Sequence, residues 1–477
     1  MGKKYLIGVD GGSQSSKVVI FDLEGNVVCE GKQDLRPMHL PAPGVAEHPD
    51  DDLWDSLVAA SRQAMARFPG KKSDIIGLGL CTIRCCRVLL KEDGSLAAPV
   101  ISWMDLRLAR PYEHTNPEVK YVTTTTGYMT HRLTGEFNDT AANYEGQWPI
   151  DKDTWQWSED EAVFKQYNIP REMLFNLLPP ARIAGYLTEE AAAATGFPAG
   201  IPVVTTANDK AVEALGAGLL PGKTALISLG TYITGMVHGH KNIKEATHFF
   251  TNLAAVPYQY LYESGGIRRG MWTVSWFKEL LGDEVLLKAK ARGLAPEDYL
   301  NEIAAAVPAG SDGLMTVLEW LAPPEKPYKK GLMIGFDARH GAAHIFRSIL
   351  EGIALTMKNH VDAMCAELGL ELERLIVSGG GSNGNLFMQI FADVFGLPAS
   401  RNVVNSSAGL GSAICAALAL GIYNDYREAV ARMVRVRDVF QPNAARHALY
   451  RRMNEEVYRY ITYYTDEILK KAYSIFG

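Results

Sequence analysis

No apolar run in these 477 residues is long enough to span a bilayer, and the opening MGKKYLIGV runs directly into a strand pattern with no secretory core. Leu6 stands where an N-myristoylation signal wants Ser or Thr. These absences predict a cytoplasmic protein with no membrane partner. Positive charge is not in excess either: Lys and Arg total 48 against 54 Asp and Glu, a net −6, and there is no lysine run or basic tail. Binding to phosphate backbones needs a clustered positive field, so nucleic acid is excluded as a bulk partner. Cysteine is sparse. The six (Cys29, Cys81, Cys85, Cys86, Cys365, Cys415) lack zinc-site spacing, and the adjacent Cys85 and Cys86 make a poor disulfide pair, so reduced, mostly buried thiols are expected. Core material is plentiful: 47% of residues are hydrophobic, and the length suits two to four domains.

The stretch Tyr5 to Asp22, YLIGVDGGSQSSKVVIFD, carries the first functional signal. An apolar run ends at Asp10, a turn follows from Gly11 to Ser16, and a β-branched run resumes at Val18. This predicts a hairpin with a polar tip. Gly12 lets backbone N–H groups approach an anion, Ser13 and Ser15 offer hydroxyls, and Lys17 brings a positive charge, which together suit a phosphate. It is not a Walker A loop, because Ser16 stands where glycine must precede Lys17, and a strand follows where a helix should. Taken alone, the stretch fits an ordinary Gly-Ser hairpin equally well.

Downstream, a third strand is expected around Asn26 to Gly31, then a proline-rich loop and a helix from Leu53 to about Phe68 headed by acidic capping residues. Ile75 to Leu80 reads as a buried strand delivering Arg84, and Pro99 to Ser102 as a second run delivering Trp103 and Asp105. Ligands of open α/β sheets gather at the carboxyl ends of strands, so Arg84, Trp103 and Asp105 become candidate substrate contacts. Asn116 to Trp157 shows no clear period and is expected to be loop with short helices. Ile201 to Ala207 reads as another strand, with Asp209 and Lys210 at its end and a helix over Ala211 to Leu219. The break at Leu219 to Lys223 divides the chain into domains 1–221 and 222–477.

Thr224 to Val237, TALISLGTYITGMV, then repeats the opening pattern, with Gly230 and Thr231 at the tip. Two such hairpins imply two related domains facing one cleft and gripping one polyphosphate. Arg374 to Ser378 runs into Gly379-Gly380-Gly381-Ser382-Asn383-Gly384 and a helix from Asn385. These glycines spell a dinucleotide fingerprint, but the acid it requires about 20 positions on is replaced by the Ala399 to Asn402 region, so NAD and FAD are set aside. A purine platform fits better, with the small-residue helix Ser406 to Gly421 behind it. Helices are expected from Glu428 to Phe476, with Tyr450, Tyr458, Tyr463 and Tyr464 as core.

In order, these pieces resemble the FGGY carbohydrate kinases over nearly the whole chain. DGGSQSSKVVIFDLEG is similar to the family's first phosphate motif, NDKAVEALGAGL to its catalytic segment, LISLGTYITG to its second phosphate motif, and HIFRSILEGIA and SGGGSNGNLFMQIFADVFGLP to segments of the nucleotide half. The resemblance implies an α/β chain of two ribonuclease-H-like domains, of the actin, hexokinase and Hsp70 architecture, around a central cleft. It implies Asp209 as general base, Asp10 on Mg²⁺, and Gly12, Ser13, Ser15, Lys17, Gly230 and Thr231 about the phosphates of ATP. Gly380, Gly381, Asn383 and Asn385 fall to the adenosine end, and Arg84 and Trp103 to the sugar. Three departures set this chain apart: a shortened segment between Trp103 and Leu133, Cys85 after the arginine, and Lys210 after the base. Lys210, Arg84, Arg268 and Arg269 raise a sugar acid as substrate. Equally, Lys210 can pair with Glu213 three residues on, leaving Arg268 and Arg269 to solvent or to bracing. The rival reading is a catalytically weak sugar-responsive binding protein or an actin-like ATPase, and a homodimer is one oligomeric state open to the chain.

Overall fold

The computed structural model describes residues 3–323 and 325–476, so Gly2, where a myristoyl group would attach, and the extreme ends of both expected domains lie outside the described residues. The first hairpin is β1 (Tyr5–Gly11) and β2 (Ser15–Asp22), paired antiparallel with Asp10 opposite Lys17 and Gly11 opposite Ser16. β3 (Val27–Asp34) extends it, and helix α1 (Asp52–Arg67) covers it with Leu53, Trp54, Leu57, Ala60 and Ala64, an apolar stripe at helical spacing. β4 (Ile75–Thr82) then returns parallel to β1. β5 (Ile183–Tyr186) and β6 (Pro202–Asn208) complete a six-stranded sheet of order β5-β6-β4-β1-β2-β3. Helix α2 (Asp209–Gly216) leaves the end of β6.

The second sheet repeats this plan. β7 (Thr224–Leu229) and β8 (Ile233–Gly239) form the second hairpin, followed by β9 (Phe249–Leu253) and β10 (Tyr260–Ser264). The long helix α3 (Ala342–Leu368) leads to β11 (Arg374–Ser378), parallel to β7. Helix α4 (Asn385–Phe395), β12 (Ala399–Asn402), helix α5 (Ser407–Ala419) and β13 (Val436–Phe440) follow, giving a seven-stranded order β9-β10-β8-β7-β11-β12-β13. Within each sheet lies the same core: an antiparallel hairpin, a parallel strand beside its first member, and a further parallel strand beyond. The chain is thus a duplicated ribonuclease-H-like α/β fold around a cleft.

Several expectations need correction. Helix α5 packs chiefly on the first sheet and α2, crossing from the second half of the chain, and does not simply back the purine platform. Its approach is so close that a Cβ on Gly8 would lie 2.0 Å from the carbonyl oxygen of Gly409, and one on Gly79 2.0 Å from that of Ser412. Only residues without side chains let the helix backbone reach the sheet at this seam. The run before Trp103 is only a two-residue strand, Val100–Ile101, paired with Glu47–His48 outside the main sheet. The aperiodic stretch holds a short helix, Thr125–Thr134, as expected, but also short strands at Tyr121–Thr123 and Asn138–Thr140 that were not. The C-terminal part includes strand β13 among its helices. Tyr450 and Tyr458 are core, as expected, but Tyr463 and Tyr464 lie on the exposed face of the last helix, Arg459–Phe476. Among the described residues all six cysteines are free, five of them buried.

Candidate active site

The carboxyl ends of β1, β4 and β6 converge on one spot. Asn208 caps α2, its side chain accepting from the Ala211 N–H at 3.0 Å and its amide donating to the Ala142 carbonyl at 3.0 Å. The helix therefore starts at Asp209, two residues earlier than the sequence predicts, and the Asp209 carboxylate sits in the first turn, where the helix dipole favours a negative charge. Its Oδ1 is closed off from solvent yet accepts no hydrogen bond. Such an orphaned acceptor, in a cleft rather than a packed core, is positioned for a ligand's hydroxyl. From the end of β1, Asp10 faces the same space. Its carboxyl is raised to about 7, by burial first and then by Asp209 and Glu213, against the opposing pull of Lys17 and Lys210.

Two cations border this group, and each is already engaged. Arg84 donates from both terminal nitrogens to the carboxylate of Glu263 at 2.9 Å and 2.9 Å, while its Nε stays 3.8 Å from Asp209 Oδ1. Glu263 lies on β10, wholly buried, and also accepts from Asn252 Nδ2 at 2.7 Å. Burial acts to depress the Arg84 guanidinium, but Glu263 and Asp209 more than reverse this, and it stands above its ordinary value. Lys210 donates to Glu213 at 2.9 Å and to Ser228 Oγ, on β7, at 2.8 Å. Burial likewise opposes its charge, and Glu213 and Asp209 restore it. Both cations therefore tie the first half of the chain to the second across the cleft. A third tie joins the same halves: Glu145, buried, accepts from the Leu253 N–H at 2.9 Å, and Lys152 donates to Glu145 and to the Thr251 carbonyl, each at 2.8 Å.

Opposite stands the glycine turn after β11. Gly379 has φ +87°, and a Cβ there would lie 2.4 Å from the Leu229 carbonyl oxygen, so this position needs glycine twice over. A Cβ on Gly381 would press on Leu229 and Met271, whereas Gly380 faces open space. Arg401 braces the turn from below, donating to the carbonyls of Ser382 (2.8 Å) and Asn383 (2.9 Å) and to Asn385 Oδ1 (2.6 Å). Asp438 on β13 holds Arg401 in turn, at 2.7 Å. The platform is thus a backbone surface with a buried ionic support.

Sequence profiles match both halves of this architecture. The N-terminal domain of the FGGY family of carbohydrate kinases matches residues 5–120 and 108–216, and its C-terminal domain matches residues 225–420. The chain belongs to the FGGY family of carbohydrate kinases. Over 475 residues, all of this chain and 96% of its relative, the kinase is 56% identical to a protein of Escherichia coli K12 named "Uncharacterized sugar kinase YgcE". Among solved structures it is similar to a gluconate kinase from Lactobacillus acidophilus, at a TM-score of 0.84 and 18% identity, covering 98% of this chain and 100% of that one. It is also similar to a xylulose kinase from Rhodospirillum rubrum, at a TM-score of 0.82 and 24% identity, with the same coverage. These two likenesses show the shared fold, and membership of a kinase family implies use of ATP.

Not every predicted residue reaches the kinase's cleft centre. Asp105 is committed elsewhere, its carboxylate accepting from the Ala46 N–H at 2.8 Å and from Arg107. Trp103 is half exposed on the loop beyond the short strand. Arg268 is exposed and donates to the Ala322 carbonyl at 3.0 Å, on the wall of a separate groove of about 770 Å³ that none of Asp10, Arg84 and Asp209 lines. Lys17 pairs across the sheet with Glu30 at 2.9 Å, so its charge is already engaged. Gly12 N–H closes the tip on the Ser15 carbonyl at 3.0 Å. Thr231 is exposed at the second tip, whose Gly230 and Thr231 carbonyls accept from Met271 and Gly270. Asn383 accepts from Asn405 Nδ2 at 3.0 Å. Sequence reasoning missed Glu263, Asn252, Glu145 and Arg401. The one available signal was a charged residue inside an otherwise apolar strand run, as at Glu263 in YLYES.

Proposed function

We propose that this carbohydrate kinase transfers the γ-phosphoryl group of ATP to a hydroxyl of a small sugar, with Asp209 as the general base. The observation that carries the reading is the unpartnered Asp209 Oδ1, closed off from solvent at the helix start and 3.8 Å from Arg84 Nε. A hydroxyl in the cleft can donate to this carboxylate, whose side chain is 31% exposed, pass its proton there as it attacks, and be oriented by the adjacent guanidinium. The Gly12 to Ser15 tip and the Gly230 to Thr231 tip approach the phosphates from opposite walls, and the turn from Gly379 to Asn385 receives the adenosine. We place the domain division at Pro221/Gly222, in the break between α2 and β7.

Asp10 suits a hard cation such as Mg²⁺. Its carboxyl is held up to about 7, and the nearest cations are paired elsewhere, Lys17 with Glu30 and Lys210 with Glu213. Among the described residues no group of three or more His, Cys, Asp or Glu side chains could hold a metal by itself. Asp10 would therefore share the ion with water and nucleotide phosphates. When bound, the ion neutralises charge on the phosphate oxygens. Domain closure excludes water and keeps the phosphoryl group for the sugar.

A screen of ADP release over polyols, pentoses, hexoses, ketoses and sugar acids with MgATP tests the reading. At least one acceptor should stimulate turnover, and Asp209→Asn should abolish the stimulation. Slow ATP hydrolysis that no acceptor accelerates would replace it with an actin-like ATPase or a sugar-responsive binding protein.

A further inference from the structure

The charges around Asp209 decide what kind of sugar the cleft accepts, provided the phosphoryl-transfer reading holds and the sugar lies beside that residue. Two cations, Arg84 and Lys210, stand among four carboxylates, Asp10, Asp209, Glu213 and Glu263. The arginine is the decisive member. A free guanidinium beside the base would be an ideal bidentate partner for a substrate carboxylate. Here that fork is filled: both terminal nitrogens sit 2.9 Å from Glu263 oxygens, and Asn252 fixes the same carboxylate from its far side at 2.7 Å. Glu263 is wholly buried, so it has no water to return to if displaced, and an unpaired buried carboxylate is costly. Lys210 is filled in the same manner by Glu213 and Ser228.

We infer that Glu263 is the specificity-determining residue of the sugar pocket: by occupying Arg84 from the opposite domain it reserves the site for neutral polyols and sugars and turns away sugar acids. A neutral hydroxyl still finds partners, because the partly exposed Asp209 carboxylate accepts and the Nε edge of Arg84 lies beside it. A carboxylate finds no unpaired cation there, and faces two acids in excess of the bases. On this inference the arginine and lysine that raised a sugar acid in the sequence serve neighbouring carboxylates of the protein instead.

The test compares substrates that differ at one terminal group, glucitol with gluconate and xylitol with xylonate, on the full chain with MgATP. For each pair the neutral member is expected to lead by at least tenfold in kcat/KM. Glu263→Gln should shift that ratio toward the acid by tenfold or more, acting mainly on KM for the acid, whereas Glu263→Asp, which keeps the charge, should retain the neutral preference. An acid that leads in the wild-type protein, or a ratio unmoved by Glu263→Gln, overturns the inference. Should Glu263→Gln fail to fold, the wild-type ratio and the Glu263→Asp variant decide. Failure of the kinase reading itself would show separately, as no ADP release with any acceptor. In that case thermal shifts of the wild-type protein with the same four compounds answer the charge question: stabilisation by the neutral members alone supports it, and stabilisation by the acids overturns it.

Discussion

The two sheets share one core, a hairpin with two parallel strands beside it, and differ in what stands at their strand ends. In the first, the strands that face the cleft finish in Asp10, Arg84 and Asp209. In the second, the corresponding ends are Leu229-Gly230, Ser378-Gly379 and Asn402. One wall presents ionisable side chains and the other presents backbone. On the function proposed above, this divides a duplicated fold by chemistry: acids stand on the side that would move a proton and attract a cation, and glycines on the side that would lie flat against a nucleotide. The walls are also supported differently. Asp209 owes its position to the Asn208 cap, and the glycine turn owes its shape to Arg401 and Asp438 beneath it.

This division predicts unequal responses to substitution. The largest belongs to the acidic wall: Asp209→Asn should cut sugar-dependent kcat by about 10²- to 10⁴-fold, the usual range for a general base, with ATP affinity unchanged. Near-normal kcat would place proton transfer elsewhere. On the glycine wall, Gly379→Val combines a left-handed backbone position with a clash on the Leu229 carbonyl. Strain of about 1–3 kcal/mol should appear as a roughly tenfold or greater rise in the KM for ATP, while the KM for sugar changes little. Equal rises in both would show that the two walls are not separable.

Asp10 gives the comparison a pH dependence. Its folded pKa of about 7 lies above the ordinary 3.8. The folded protein therefore holds this proton where the unfolded chain has lost it. Stability of the metal-free protein then falls as pH rises from about 4 to about 7, after which the penalty is complete. Asp10→Asn removes the penalty, so its melting temperature should exceed wild type by a few °C, with a gap that widens from pH 5 to pH 7 and levels off above pH 8. Mg²⁺ should narrow the gap by stabilising wild type alone. A gap independent of pH and Mg²⁺ would make Asp10 structural. The smallest effect is expected at the third tie between the halves, where Lys152→Met removes the contacts with Glu145 and Thr251. With about 1 kcal/mol at stake, KM for the sugar should rise no more than about fivefold and kcat should hold. A large loss of kcat would mean that this strap orders the catalytic wall.

Much of this layout is legible in the residues. The hairpins, the strand Arg374–Ser378 and the helix from Asn385 to Phe395 follow from apolar runs bounded by glycine, because burial on both faces and turn chemistry are local properties. The repeat of the opening pattern at Thr224 discloses the duplication for the same reason. What misleads is also local. A four-residue apolar run before Trp103 looks like a sheet strand, but the structure uses two residues of it in a minor ribbon. Threonine-rich Thr125–Thr134 does form one of the short helices expected in its stretch, stabilised by burial more than by propensity.

By itself the sequence determined the element order, the doubling of the fold, and the residue types available for chemistry at Asp10, Asp209 and the glycine turn. Only the tertiary structure decided which charges neutralise which. Arg84 meets Glu263 across 179 positions, and Ser412 hydrogen-bonds the Val9 carbonyl across 403. An arginine reads the same in a sequence whether its fork is free for a substrate or filled from the opposite domain. The pairing depends on how two sheets and one crossing helix close on each other, and no local pattern encodes that geometry.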